Sequence, residues 1–301
     1  MRGWMLVGMV LVCGPAMAAD TVHSLNAVPG ALKTPEGKST FAQQMAGAEP
    51  PDLLGLTLPA GMTAASVAAL VLPPGNAAPL NAVGVKPVPG EAGLFAAIVC
   101  TGGDVPAGPD DARCSAYSGD AAVQSLKVYA GLLRMTPGTA PALAVRPVAV
   151  NTMADWRNTD LPDAPDALQD ASGDSIPATS FSGFDLAPYV IAPGVRAFGL
   201  RGKWEDGYSG GMAEYSALYL FAAIDGALTQ VFTAPMSEYR DIAGDWHKDG
   251  TRDHQVTDVA KLLSIARHAS DGYFDVRLTR RGGKGADVFR WSAGTYKRVE
   301  R

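Results

Sequence analysis

The length of the apolar runs constrains this chain more than any other feature. Between residues 51 and 150 they come as "LLGLTLPAG", "VAALVLPPGN", "GLFAAIVC", "SLKVYAGLLRMTPG" and "PALAVRPVAV", each closed by Pro, Gly or a polar residue after a few positions. Runs of roughly four to eight residues bounded in this way suit strands, whereas amphipathic helices need about ten or more. No regular alternation of strand with long helix is visible, so the expectation is a mostly β, antiparallel protein, arranged as a propeller-like or sandwich fold. At the C-terminal end "YFDVRLT" alternates apolar and polar positions, "RRGGKG" turns, and "DVFRWSAGTYKRV" returns, which predicts a terminal hairpin. Periodicity leaves "VTDVAKLLSIARHA" open between helix and strand.

An internal echo organises the rest. "YSGDAAVQSLKVYAGLL" from Tyr117 and "YSGGMAEYSALYLFAAI" from Tyr208 align without gaps at an offset of 91, sharing Tyr-Ser-Gly and an apolar run. Upstream the offset grows to 104, so the first copy carries an insertion, and Cys100 and Cys114 fall there. Two related β units are expected, at about 88–150 and 192–236. The resulting plan is a signal peptide (1–18), a partly ordered leader (19–50), a first β unit with a disulfide loop (51–150), an acidic connecting loop (151–191), and a second β unit with the C-terminal hairpin (192–301).

The first residues read as an export signal: Arg2, the apolar "WMLVGMVLVC", and the small-x-small pattern Ala16-Met17-Ala18. That run is too short to span a bilayer, so no stable membrane anchor is expected, and a periplasmic or secreted location is. Cleavage removes Cys13, and the remaining Cys100 and Cys114 are expected to pair in an oxidising compartment. A hydrophobic share of 47% with 18% charged residues marks a folded globular chain, and a net charge of −5 does not suit a nucleic-acid binder.

Three chemistries are written in the loops. Gly207, Ser209 and Gly211 make G-x-S-x-G, with Asp225 or Asp245 and then His247, His254 or His268 in the order of a serine hydrolase. The charged "RGKWED" before Gly207 does not read as the buried strand such a nucleophile needs. "DWHKDGTRD" places Asp245, His247, Asp249 and Asp253 at loop positions one, three, five and nine, with Gly250 at six for the sharp turn. That loop resembles the calcium loops of FG-GAP/VCBS-type repeats and EF-hands, and "DASGDSIPA", with Asp170 and Asp174, resembles a worn copy. Calcium is the implied cofactor; the alternative is two polar turns in which Asp side chains cap backbone amides. Trp156, Trp204, Trp246 and Trp291 read either as a sugar-stacking platform or as core.

The third chemistry is recognition. Tyr208, Ser209, Gly210 and Tyr215 combine rigid aromatics with an adaptable hydroxyl on one loop. On an exported β protein this is similar to the Ser-Gly-x-x-Tyr loop of bacterial periplasmic lysozyme inhibitors, whose related immunity proteins use a β-rich scaffold with calcium-type loops. The resemblance implies a non-enzymatic protein that inserts Ser209 and Tyr215 into the cleft of a lysozyme-like peptidoglycan hydrolase, with Tyr208 bracing the loop. In this chain Tyr215 follows Ser209 by six residues, a wider spacing than the family's loop.

Overall fold

The computed structural model describes residues 19–299 apart from 105, 107–111 and 118; the expected signal peptide lies outside the described residues. The chain is mostly antiparallel β. Its larger sheet is an unbroken meander from β10 (Ser180–Ala192) through β11 (Val195–Tyr208), β12 (Gly211–Ile224), β13 (Ala227–Trp246), β14 (Arg252–Ser270), β15 (Tyr273–Arg280) and β16 (Asp287–Ser292) to β17 (Thr295–Arg298). The segment left open between helix and strand is therefore a strand. Short turns drive the meander. Asp225-Gly226 and Asp271-Gly272 hold both central residues at positive φ, the mirror-image turn whose twist matches that of the flanking strands.

β12 shows how the layers arise. Eight successive residues, Tyr215 to Ala222, are buried, which requires cover on both faces. Tyr215, Ala217, Tyr219 and Phe221 point into the main core, while Leu218, Leu220 and Ala222 point into a second core. The second core forms because the sheet curls, bringing Val276, Leu278, Trp291 and Tyr296 of the C-terminal strands over β12. Across the main core lies a five-stranded sheet built from β2 (Leu80–Pro87), β3 (Leu94–Thr101), β5 (Lys127–Arg134), β6 (Ala142–Leu143) and β7 (Val148–Ala149). Here too alternate residues divide: Ile98, Val128 and Ala130 face the main core, and Val85, Ala97 and Val99 face a helix on the outside. That helix, α3 (Ala64–Val71), corrects the reading of "VAALVLPPGN" as a strand. Thr63 and Ser66 cap each other's backbone amides in a capping box, and the alanine-rich turn that follows favours helix.

Two expected boundaries move. Residues 20–45 are built into the fold: β1 (Asp20–Val22) pairs with β14, and α1 (Val28–Ala31) and α2 (Pro35–Met45) dock on it. The Asp258 carboxylate on β14 accepts from the Lys33 and Thr34 amides at 2.5 and 2.6 Å, and Thr34 in turn caps α2. The connecting loop of residues 151–191 contains a small hairpin of β8 (Met153–Asp155) and β9 (Ser175–Pro177) and then nearly all of β10. The echo segments fall in β5 and β12, but a short helix, α4 (Asp120–Ser125), intervenes before β5, whereas Ser209-Gly210 turn directly into β12. Cys100 on β3 is bonded to Cys114 on β4 (Cys114–Ser115), which pairs with β10 at the edge of the larger sheet. The disulfide thus ties the two sheets together.

Candidate binding cleft

The β11–β12 hairpin closes at the Tyr208–Gly211 pair, which leaves Ser209 and Gly210 exposed at its tip. Gly210 adopts φ +86°, so the turn needs glycine for its conformation; a Cβ there would lie 2.6 Å from the Arg252 guanidinium, the end of a side chain that can shift. Ser209 therefore stands on a two-residue turn between antiparallel strands, not at the strand-to-helix bend of a hydrolase nucleophile. Asp225 occupies the turn at the other end of β12. Among the described residues the histidines are hydrogen-bonded to aspartates and none to Ser209.

Tyr215 must be corrected as a contact residue. It is fully buried, with its ring edge-on to Trp156 at 5.6 Å, because its position on the register puts it on the core face of β12. Tyr208 is half-buried at the hairpin end. Trp156, Trp204 and Trp291 are core residues, so the four tryptophans form no shared platform; Trp246 alone of them is exposed, at 69%.

The β13–β14 turn does not gather its carboxylates. Asp249 Oδ1 accepts from the Thr251 amide and hydroxyl at 3.0 and 2.7 Å, the backbone-capping role. Asp245 is exposed and belongs to no converging ligand group among the described residues. Asp253 Oδ1 instead receives His247 Nε2 at 2.7 Å and His23 Nδ1 at 2.9 Å. In the second expected loop, Asp174 pairs with Arg157 at 3.1 Å, and Asp170 and Asp174 belong to no converging ligand group among the described residues.

Beside the exposed hairpin tip is a cavity of about 650 Å³. Leu25 and Met45 from the N-terminal segment form one wall, and Tyr208, Met212 and Trp246 from the meander form the other. Arg252 holds its guanidinium 5.2 Å from the centre of the Trp246 ring while its Nε donates to the Gly244 carbonyl at 2.8 Å. His254 and Asp241 line the cavity as a buried pair, Nδ1 to Oδ1, at 2.7 Å. The apolar wall from residues 25 and 45 could not be foreseen while that segment read as a loose leader.

A second polar cluster lies under the acidic connection. Glu238 on β13 is buried and accepts from the Asp163 amide at 2.8 Å. Lys261 on β14 is also buried and reaches Asp160 at 2.5 Å and Thr159 Oγ1 at 2.6 Å. Arg240 pairs with Asp163. The acidic loop is thus pinned by charged side chains of the sheet. Burial pushes the Glu238 carboxyl up to about 7, against the Asp163 amide and nearby Arg240 and Arg280, which pull it down.

Below the ordinary carboxylate value near 4.5 both folded and unfolded chains hold the Glu238 proton. Between there and about 7 the unfolded chain ionises first, so stability falls as pH rises through that window. Glu238→Gln, which keeps an acceptor for the Asp163 amide, is expected to stabilise the protein at pH 8 by up to about 3 kcal/mol. It should leave stability unchanged at pH 4. Urea denaturation of both proteins at the two pH values checks this; an equal difference at both would sink it.

Comparison with known proteins returns no similarity: no family model, no curated protein and no solved structure matches the chain.

Proposed function

We propose that this is an exported, non-enzymatic binding protein whose partner docks over the cleft between the N-terminal segment and the β11–β12 and β13–β14 turns. One observation carries the reading. Trp246, exposed and braced by Arg252, lines the same cavity of about 650 Å³ as Leu25 and Met45, also exposed. Large apolar side chains gathered at the surface mark interaction sites, and Trp and Arg are the residue types that dominate binding energy. Export is supported by the leader pattern and by the Cys100–Cys114 pair at bonding distance.

The partner proposed is a lysozyme-like peptidoglycan hydrolase. Gly210 lines the cleft and Ser209 is exposed beside it at the tip of the hairpin, where a protruding turn can enter an enzyme groove, with Trp246 and Tyr208 supplying the aromatic surface that Tyr215 does not. A net charge of −5 favours encounter with a basic enzyme. Calorimetric titration of the mature chain against a panel of purified muramidases tests the proposal. Binding should weaken about thirtyfold or more in Trp246→Ala, as for a hot-spot residue worth at least ~2 kcal/mol, and less in Ser209→Ala. Silence across the panel removes this class of partner; undiminished binding by Trp246→Ala removes the cleft.

A further inference from the structure

We infer that His23, His247 and Asp253 form a binding site for a borderline divalent cation, Zn2+ in preference to Ca2+. One atom from each side chain takes part, and these atoms all lie within 4.8 Å of one another. They come from three separate places: the residue following β1, the β13–β14 turn, and β14 itself. Pairing of Val22 with His254 and of Trp246 with Arg252 sets those three backbones side by side, so the convergence follows from sheet register.

The donor set selects the metal. Two imidazole nitrogens and one carboxylate oxygen suit zinc and its neighbours, which accept nitrogen ligands and three protein donors with an open fourth position. Calcium needs six or more oxygens, and among the described residues the converging group holds a single carboxylate: Asp249 is engaged with Thr251, and Asp245 is not part of the group. Both histidine nitrogens already meet the same oxygen, at 2.9 and 2.7 Å. Donors around a tetrahedral zinc, with bonds of about 2.0–2.2 Å, stand roughly 3.3 Å apart, so the two nitrogen–oxygen edges have to widen only slightly, while the two nitrogens, within 4.8 Å of each other, come to the same spacing. Each neutral imidazole moves its proton to its other ring nitrogen through solvent and presents a lone pair to the ion. His23 is 83% exposed and His247 is partly so, which leaves the fourth position open to water.

A bound ion joins the N-terminal segment to the β13–β14 turn. His23 is followed directly by Ser24 and Leu25, which line the cleft, and Trp246 precedes His247, so the same ion holds both walls.

The test is calorimetry on the mature, untagged chain with ZnCl2 and, separately, CaCl2 at neutral pH, with Co2+ absorption as a second readout. One Zn2+ per chain is expected, with no calcium heat and with visible Co2+ bands of a low-coordinate site. His23→Ala and His247→Ala should each weaken Zn2+ by more than the roughly tenfold that loss of even an outer-shell partner costs. His268→Ala, whose imidazole is bonded to Asp275, should bind as the parent does. Asp253→Asn, which keeps the side-chain shape, should also lose affinity and guards against misfolding of the alanine variants. The inference is overturned by no Zn2+ binding, by calcium binding more tightly than zinc, or by unchanged zinc affinity in the His23/His247 double variant. Trp246→Ala should still bind zinc, so failure of the docking reading and of this one are distinguishable.

Discussion

Trp204→Ala is expected to destabilise the protein by about 3–5 kcal/mol, the cost of removing a fully packed aromatic from a core that relaxes only in part. Trp204 is buried on β11 and stands edge-on to Trp156, with ring centres 5.1 Å apart. Trp156 in turn stands edge-on to Tyr215. The three rings fill the space between the meander and the β8–β9 hairpin, and the Trp204 Nε1 donates to the Pro177 carbonyl at 2.8 Å. Alanine there leaves a cavity, exposes the edge of Trp156 to it, and strips a partner from a β9 carbonyl. Trp204→Phe keeps most of the ring and loses the donor, so it should cost clearly less. Urea denaturation followed by far-ultraviolet circular dichroism measures both; a loss below about 1 kcal/mol for the alanine variant would contradict a close-packed aromatic junction.

Reducing the Cys100–Cys114 bond is expected to cost about 3 kcal/mol, the chain-entropy value for a loop of this size. The Cα atoms are 5.5 Å apart and both side chains are buried. The bond joins β3 of the smaller sheet to β4 at the edge of the larger one, so reduction also loosens the contact between layers. The melting temperature should fall in dithiothreitol for the parent and be insensitive to it in a Cys100→Ala/Cys114→Ala variant, which should melt near the reduced parent. An unchanged melting temperature after thiol titration has verified two free cysteines would refute the stapling role.

The site was legible only where local chemistry writes it. The hairpin tip at Ser209-Gly210 could be read from the glycines, because a turn with positive φ asks for that residue whatever surrounds it. The role of Tyr215 could not, since alternation along β12 says that its side chain opposes those of its neighbours but not which layer covers it. In "DWHKDGTRD" the spacing of oxygens suggested calcium, yet His247 and Asp253 turn toward His23, a residue more than two hundred positions away that no loop pattern includes. The cleft has the same character: Leu25 and Met45 acquire meaning only when β1 and α2 are seen against β13 and β14.

By itself, then, the sequence determined the strand-rich class, the hairpin turns and the pairing of its last two cysteines, because run length, glycine positions and residue count act over short or chain-wide scales that need no partner. Only the tertiary structure decided which face of each strand is buried, that the N-terminal segment is part of the sheet, and which side chains meet. Those outcomes depend on sheet curl and register, which bring together residues that no local preference connects.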